Sequence, residues 1–476
     1  MKTENVAERC EVTRNACVVC SPLGATIAFA GVERGMTLLH GSQGCATYIR
    51  RYVISHFREP LDVASSSFTE ETAVFGGAGN LRLALENVVR EYAPALVGVA
   101  TTCLAETIGE DAAYVRRSLG MSGGAAGAAS AAAAAGAGTG AGGTGAGGGG
   151  APLIVAVSTP SYRGSHRDGF RAALRALTEA TNPRGAEADA GADAAPCATQ
   201  GARKCAAPAT VALFPAMVSP ADLRSLKADI GAFGLEAILA TDYSDTLDGG
   251  PWKAHRLLPE GGTTVASLSR MRGASAAIEF GADFSADRSA AGFLEQAHGV
   301  PRHAMPLPVG IRATDAFMSV LSDLSGKCLP PALEAERARL LDSYVDAHKH
   351  VFGKRALLYG DPDHVEALSG FLREIGMIPL LPEGEGRDFA QAEAAARASE
   401  KRGEPVDLVI GNGKGYKTSL KMDVPLVRTG FPIHDRFGGQ RVRVLGFGGT
   451  QELFDRIVNA LIERKQEDSD VGYTYY

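Results

Sequence analysis

Residues 81–101 read LRLALENVVREYAPALVGVAT, and this stretch contains both elements of an α/β fold. Its first half places apolar side chains at helical spacing, among them Leu81, Leu85 and Tyr92. Its second half, residues 95–101, is a continuous run of apolar and small residues, which is typical of a strand buried on both faces. A helix followed by such a strand predicts a parallel sheet covered by helices.

The same alternation of strand and helix returns in later parts of the chain. Strand-sized apolar runs occur at residues 153–158, 211–214, 236–239, 355–359 and 406–410. Helices are predicted to begin near Ser219-Pro220 and after Pro362, and a last helix to cover about residues 451–465. With 476 residues, the chain is predicted to be an α/β protein of three Rossmann-like domains with parallel sheets flanked by helices. The predicted domains cover residues 1–208, 209–330 and 331–476.

Composition and charge exclude several classes of protein. Lysine and arginine number 48 against 54 acidic residues, a net charge of −6, whereas a general nucleic-acid binder needs a basic surface. The apolar runs are strand-sized, far shorter than the roughly 18 residues that a membrane helix requires. The first residues, MKTEN, lack the apolar core of a secretory signal. We therefore expect a soluble cytoplasmic protein that binds neither nucleic acid nor membrane.

Two low-complexity segments interrupt the first predicted domain. All 28 residues from Gly123 to Gly150 are Gly, Ala, Ser or Thr, and 25 of them are Gly or Ala. A second loose stretch, residues 182–208, is rich in Ala, Gly and charge. Such compositions bury little apolar area, so both are predicted to be surface insertions that carry no chemistry.

Eight cysteines in a chain predicted to be cytoplasmic indicate metal ligands or buried small side chains rather than disulfides. Cys20, Cys45 and Cys103 share a context, because each follows a strand or turn and precedes a predicted helix or loop. Thiolates beside glycine-rich backbone suit iron–sulfur clusters. Their spacings of 25 and 58 residues match no compact ligand loop, so spacing alone favours buried structural cysteines over metal binding.

The residues around these cysteines form a series of longer motifs. In chain order they are CSPLGA (20–25), HGSQGC (40–45), HFREP (56–60), FTEETAVFGG (68–77), TTCLAETIGED (101–111), TPSYRGSH (159–166) and GFPIHDR (430–436). The series resembles the β-type subunits of the nitrogenase component 1 family, including the β-like, NifN-type subunits of the iron–molybdenum cofactor assembly scaffold. The resemblance is dense over residues 17–111. The family fold has three Rossmann-like domains, which agrees with the number of domains expected from the length of the chain.

The resemblance implies a set of site residues and partners. In catalytic β subunits of the family, residues in the contexts of Cys20, Cys45, Cys103 and Ser165 surround the P-cluster at the interface with the α subunit. In the scaffold a [4Fe–4S] cluster takes that place, and Cys45 matches its best-supported ligand. The implied partners are a NifE-like α subunit, in an α2β2 heterotetramer, and the nitrogenase iron protein. The α-like partner mainly holds the iron–molybdenum cofactor precursor, and no residue of this chain is expected to be catalytic.

Two branches of the family fit these motifs. Only 19 residues precede Cys20, and residues 433–440 lack the histidine-rich continuation found in many catalytic subunits, which favours the scaffold type. The retention of Cys20, Cys103 and Ser165 favours the alternative, a β-type subunit of a nitrogenase or nitrogenase-like reductase carrying half of a P-cluster. We expect the scaffold type.

A nucleotide-binding enzyme is a candidate from another class. Its best glycine-rich segment, GNGKG at residues 411–415, lacks the third glycine at the dinucleotide spacing, and no Walker A motif occurs in the chain. We interpret this segment as a turn that needs positive φ angles. His40 and His56 are interpreted as helix-capping residues, with tuning of a cluster through N–H···S hydrogen bonds as the alternative. Glu106, Glu110 and Asp111 are interpreted as residues that favour the start of the next helix.

Overall fold

A computed structural model of the chain describes residues 16–120, 151–185 and 208–471, except residues 284, 286, 287 and 383–387. The Gly/Ala-rich segment 123–150 and most of residues 182–208 lie outside the described residues. The same holds for Cys10, Cys197 and Cys205. The predictions made for these segments therefore stay predictions.

The strands of the described residues form three sheets of four parallel strands each. They are β1 (Gly35–His40), β2 (Val63–Ser65), β3 (Leu96–Thr101), β4 (Leu153–Ser158), β5 (Thr210–Phe214), β6 (Glu236–Leu239), β7 (Ala276–Phe280), β8 (Arg302–Met305), β9 (Arg355–Leu358), β10 (Ile378–Leu380), β11 (Leu408–Gly411) and β12 (Leu426–Arg428). The strand orders are β2–β1–β3–β4, β6–β5–β7–β8 and β10–β9–β11–β12. We call the units built on these sheets the first, second and third domains; their chain boundaries stay a prediction.

Helices connect the strands and flank the sheets, as parallel pairing requires. They are α1 (Ser21–Ala30), α2 (Gln43–Phe57), α3 (Glu70–Phe75), α4 (Ala78–Tyr92), α5 (Cys103–Thr107), α6 (Ala112–Ser118), α7 (His166–Thr181), α8 (Pro220–Ala232), α9 (Val265–Arg270), α10 (Ala290–His298), α11 (Ile311–Ser325), α12 (Pro331–Val351), α13 (Pro362–Glu374), α14 (Phe389–Lys401), α15 (Tyr416–Met422) and α16 (Gly446–Glu467). The predicted α/β fold with parallel sheets flanked by helices is confirmed. None of these helices is long and apolar enough to cross a membrane.

The first helix lacks the usual amphipathic pattern, and the last helix begins earlier than the sequence predicts. All ten residues of α1 are buried, because this helix packs between the first sheet and α7. The last helix, α16, begins at Gly446 rather than near residue 451. Gly446, Gly448 and Gly449 in its first turn disfavour a helix by intrinsic propensity, which explains the late predicted start.

The chain crosses between domains before α1. Cys17 is fully buried in the core of the third domain, where it lies in one apolar cluster with Tyr359 and Phe389. Only a few residues later the chain enters the first domain as α1. The segment that precedes Cys20 is therefore held by the third domain, while the residues that follow it belong to the first.

Candidate functional site

Each of the three motif cysteines lies at the start of a helix. Cys20 is the N-cap residue of α1, Cys45 lies in the first turn of α2, and Cys103 is the first residue of α5. All three thiols are partly buried. The free N–H groups and the partial positive charge of a helix start favour a thiolate or another anion at these positions.

The packing of α1 on α7 brings Cys20 to Ser165. A Cβ atom at Gly24 would overlap the carbonyl oxygen of His166, and a Cβ atom at Gly169 would overlap the carbonyl oxygen of Ser21. The two glycines therefore allow the helix backbones to touch. As a result, Cys20 and Ser165, the N-cap residues of the two helices, form an antiparallel β-bridge.

The pairing of β1 with β3 brings Cys45 near Cys103. The two strands run in parallel and end side by side, with His40 opposite Thr101. The turn after β1 lies against the turn after β3, because Thr102 N donates to His40 O at 3.1 Å. A side chain at Gly41 would overlap Thr102 Oγ1, so the HGSQGC motif needs a glycine at this position for close approach.

Ser161 links the two halves of the site. Its Oγ accepts a hydrogen bond from Ser21 N at 3.2 Å, and its own N–H donates to Cys103 Sγ at 3.2 Å. On the other side, Ser42 Oγ donates to Cys45 Sγ at 3.7 Å. Hydrogen bonds to sulfur stabilise the thiolate form and tune the potential of a cluster that the sulfur binds.

The three thiols interact electrostatically. Burial raises the pKa of the Cys20 thiol to about 12, and the neighbouring Cys45 and Cys103 contribute to the rise. Three thiolates in this space would repel one another, unless a bound cationic group compensates their charge and displaces their protons. Within the described ranges, no group of three or more His, Cys, Asp or Glu side chains is arranged to hold a single metal ion. Thiols are the usual ligands of iron–sulfur clusters, so the chemistry of these donors suits such a group.

Ser165, the candidate oxygen ligand, is buried and already hydrogen-bonded. Its Oγ donates to Asp168 Oδ2 at 3.3 Å, and its N–H donates to the same oxygen at 2.7 Å. These bonds close the first turn of α7. Ser165 lies beside Cys20, but its hydroxyl is engaged in helix capping, and its role as a ligand stays a prediction.

His40 and Glu110 form a buried pair behind the HGSQGC turn. His40 Nε2 lies 2.9 Å from Glu110 Oε2, and His40 Nδ1 lies 3.1 Å from Ser66 Oγ. Burial lowers the pKa of His40, and Glu110 opposes this shift. The interpretation of His40 as a helix-capping residue is therefore wrong. Glu110 does bind a helix start, but that of α4, where it accepts from Gly77 N at 2.8 Å, whereas Asp111 caps α6 by accepting from Tyr114 N at 2.7 Å. The pairing of His40 with Glu110 joins residues 70 apart, which no local pattern reveals.

His56 connects the helix of Cys45 to the GFPIHDR motif. Ile433 N donates to His56 Nδ1 at 2.9 Å, and the His56 ring lies edge-on to Phe431 at 4.8 Å. Burial lowers the pKa of His56 to about 3, so this ring stays neutral and accepts the hydrogen bond. His56 therefore does not cap a helix, as the sequence suggested, but anchors the C-terminal motif to α2.

The GNGKG segment holds the chain that leads to Cys20. Asn412 Nδ2 donates to Cys17 O at 2.8 Å and to Phe431 O at 3.1 Å, while Lys414 Nζ donates to Val18 O at 3.3 Å. None of its three glycines has a positive φ angle, so the predicted reason for them is wrong. They are needed for close approach instead: a Cβ at Gly411 or Gly415 would overlap the Tyr359 side chain.

Exposed apolar side chains surround the cysteines. Tyr48 follows Cys45 by one helical turn, Leu104 is adjacent to Cys103, and Tyr162 is adjacent to Ser161. Their exposed fractions are 38%, 38% and 48%. Large apolar side chains left partly open around a half-buried site indicate a surface that another protein covers.

Comparisons with known proteins agree with this geometry. The family model described as nitrogenase component 1 type oxidoreductase matches residues 20–462. The chain is 30% identical to the nitrogenase molybdenum-iron protein beta chain of Clostridium pasteurianum, over 98% of this chain and 96% of that protein. It is 32% identical to the corresponding chain of Methanothermobacter marburgensis, over 97% of each. For Frankia alni the identity is 33%, over 97% of this chain and 85% of that protein.

Comparison with solved structures also finds nitrogenase chains. The structure "Nitrogenase Cp1 at pH 6.5" superposes with a TM-score of 0.80 and 28% identity, covering 99% of this chain and 98% of that chain. A chain of "Nitrogenase Cp1 at pH 5" gives a TM-score of 0.62 at 16% identity, over 99% and 94% of the two chains, which supports the fold alone.

Proposed function

Because this chain belongs to the nitrogenase component 1 type oxidoreductase family and is of its β-chain type, we propose that it pairs with an α-type chain around a shared iron–sulfur cluster. Cys20, Cys45 and Cys103 are the proposed ligands on this side of the interface. When bound, such a cluster supplies one-electron transfer. The observation that carries the proposal is that three thiols lie at three helix starts, with Cys45 and Cys103 close enough to raise the pKa of the Cys20 thiol.

The chain's own residues fit this task. The N–H of Ser161 and the hydroxyl of Ser42 donate to the sulfur atoms of Cys103 and Cys45. The burial of Cys20 keeps water away from one side of the site. These groups bind and orient the ligands, and they perform no bond-breaking chemistry on a substrate, so no residue is assigned a catalytic role.

The surface around the cysteines supports a protein partner. Tyr48, Leu104 and Tyr162 leave an apolar rim that an α-type chain would cover. We propose a NifE-like α subunit in an α2β2 heterotetramer, with the nitrogenase iron protein docking on the assembled complex. The precursor of the iron–molybdenum cofactor would be held mainly by the α-type chain.

Within the family, we propose the scaffold role in iron–molybdenum cofactor assembly. The Ser165 hydroxyl donates to Asp168 in the capping box of α7, so a cluster that recruited this oxygen would disturb the first turn of that helix, whereas the three cysteine thiols can bind without such a change. That donor set favours a smaller cluster, such as [4Fe–4S], over an eight-iron P-cluster that also recruits the serine. Cys45, on the HGSQGC motif, is the principal ligand in this proposal.

The second candidate is a catalytic β-type subunit that carries half of a P-cluster. Two observations favour it. The three thiols act on one another in one site, which a scaffold that uses a single β-side ligand does not require. The relatives described above are also beta chains of molybdenum-iron proteins, by their printed names.

One experiment separates the two roles. The complex of this chain with its α-type partner is purified without oxygen, and its iron, acid-labile sulfide and paramagnetic signals are measured. A scaffold should carry only a [4Fe–4S] centre at the interface. It should also activate apo-nitrogenase when supplied with cofactor precursor, molybdate, homocitrate, iron protein and ATP. An eight-iron centre, with substrate reduction as the only activity, would overturn the scaffold role in favour of the catalytic one.

A further inference from the structure

A second potential site lies in a cleft between the first and second domains. The cleft has a volume of about 380 Å³ and is bounded by the end of β4, one face of α7, the start of α6 and the start of α10. This volume lies within the range of small-molecule sites. Its position, outside the carboxyl end of a parallel strand, is where ligands bind in open α/β sheets.

Arginine side chains line the cleft from two helices. Arg167, Arg171 and Arg175 follow one another at intervals of four residues and so share one face of α7. Arg116 faces them from α6, across the end of β4. Arginine is the side chain best suited to hold carboxylate or phosphate groups through paired N–H donors.

The carboxylates in the cleft already have partners. Glu179 pairs with Arg175 at 2.5 Å, Glu279 with Arg302 at 2.9 Å, and Asp283 with Arg288 at 3.0 Å. Asp168 accepts from Ser165 N at 2.7 Å and lies 3.8 Å from Arg167 Nη1, so it compensates part of the charge of Arg167. None of these four carboxylates pairs with Arg116 within the described part of the chain.

Two guanidinium groups keep unused donors. Arg116 is exposed and has no carboxylate partner among the described residues; its one hydrogen bond there runs from Nη1 to Ala156 O at 3.3 Å. Arg167 donates from Nε to Asp363 Oδ1 at 2.9 Å, which fixes its plane, but its buried Nη2 has no partner. A buried donor without a partner costs stability unless water or a ligand satisfies it.

We propose that this cleft binds a small oxyanion with at least two negative charges, held by Arg116 and Arg167. The shared chemistry is a pair of anionic groups that each present two oxygen atoms to a guanidinium, as in a tricarboxylate or a diphosphate. This site is separate from the proposed cluster ligands, so its existence does not depend on the function proposed above.

The test is isothermal titration of the purified complex with tricarballylate and with inorganic pyrophosphate, at a fixed chloride concentration. We expect saturable binding of at least one probe, with one site per copy of this chain. Arg116→Gln should weaken that binding by about 10-fold or more, which corresponds to the loss of a charge-assisted hydrogen bond. The probe that binds more tightly identifies the class of ligand.

Arg117→Gln is the matched control. Arg117 is the exposed neighbour on the same helix and does not line the cleft, so its substitution removes the same charge without touching the site. Its binding constants should equal those of the wild type, while Arg116→Lys should bind less tightly than the wild type. Absence of binding of both probes at millimolar concentration would overturn the proposal, as would equal effects of Arg116→Gln and Arg117→Gln.

Discussion

Arg171 of the first domain donates from Nη2 to Asp363 Oδ1 of the third domain at 2.9 Å. The same carboxylate oxygen accepts from Arg167 Nε at 2.9 Å and from Ala282 N of the second domain at 2.8 Å. One oxygen atom thus joins all three domains. Asp363 has a fully buried side chain and is the nearest carboxylate to both guanidinium groups, while Asp168 lies farther from Arg167, at 3.8 Å.

Asp363→Asn should destabilise the protein by about 3–5 kcal/mol, because it removes the nearest counter-ion of two largely buried arginines. The measurement is the denaturant midpoint of the purified complex. Asp423→Asn is the control: Asp423 pairs with Arg464 at the surface, and its loss should leave the midpoint unchanged. Equal midpoints for both variants would contradict the role assigned to Asp363.

Gly24→Ala should destabilise the packing of α1 on α7 by about 1–3 kcal/mol, since the added methyl group meets backbone that cannot move aside. It should also lower the iron content of the complex, because Cys20 and Ser165 are brought together by this packing. Gly79→Ala tests the alternative that any added methyl is harmful. Gly79 is exposed in α4 with nothing near its Cβ position, so that variant should be neutral or slightly more stable. A normal melting temperature and iron content for Gly24→Ala would show that the contact is unimportant.

His56 should make the stability of the protein depend on pH. Its pKa is lowered to about 3 in the folded state, so between pH 3 and about 6.5 the unfolded state binds the additional proton. Stability should therefore fall as the pH decreases below 6.5, by roughly 2 kcal/mol between pH 7 and pH 5 for this one residue. His40 and His166, whose pKa values burial also lowers, act in the same direction.

His56→Gln keeps an acceptor for Ile433 N but cannot titrate, so its unfolding midpoint should change less between pH 7 and pH 5 than that of the wild type. The exposed His255 provides the control, and His255→Gln should keep the wild-type pH dependence. If all three proteins show the same change of midpoint, His56 does not titrate as inferred.

Cys45→Ala should lower iron and acid-labile sulfide in the purified complex severalfold, because it removes the proposed principal ligand. Cys328→Ala removes an exposed thiol outside the site and should leave both quantities unchanged. Iron content and a paramagnetic signal that do not change in Cys45→Ala would remove this residue from the ligand set.

The sheet type could be predicted from the sequence, as could the central strands β3, β5, β9 and β11 and the edge strands β4 and β6; the central strands β1 and β7 and the other four edge strands are not predicted. Strands β3 and β11 are short runs of buried apolar residues, a sequence pattern that is typical of a buried strand. The edge strands β2, β8, β10 and β12 are three or four residues long and only partly buried, so they carry no such signal. Helix α1 has no polar face, because it is covered on all sides, and therefore shows no helical periodicity.

In the candidate site, the cysteines could be predicted because motifs surround them. The residues that form hydrogen bonds to them and to the neighbouring histidines could not be predicted. The donor to Cys103 Sγ is the backbone N–H of Ser161, and a backbone donor leaves no trace in residue type. Glu110 reaches His40 across 70 residues, and Ile433 reaches His56 across 377. Such contacts are created by the tertiary packing of the domains.

The hydrogen bond from Asn412 Nδ2 to Cys17 O spans 395 residues and has a consequence for biosynthesis. A ribosome adds about 5–20 residues per second, so Cys20 leaves it roughly 20–80 s before the segment that fixes its position exists. Until then, the segment that leads into Cys20 lacks the contacts from Asn412 and Lys414 that hold it in the folded chain. Full support of the site is thereby coupled to the end of translation, and a chain truncated before residue 412 would lack it.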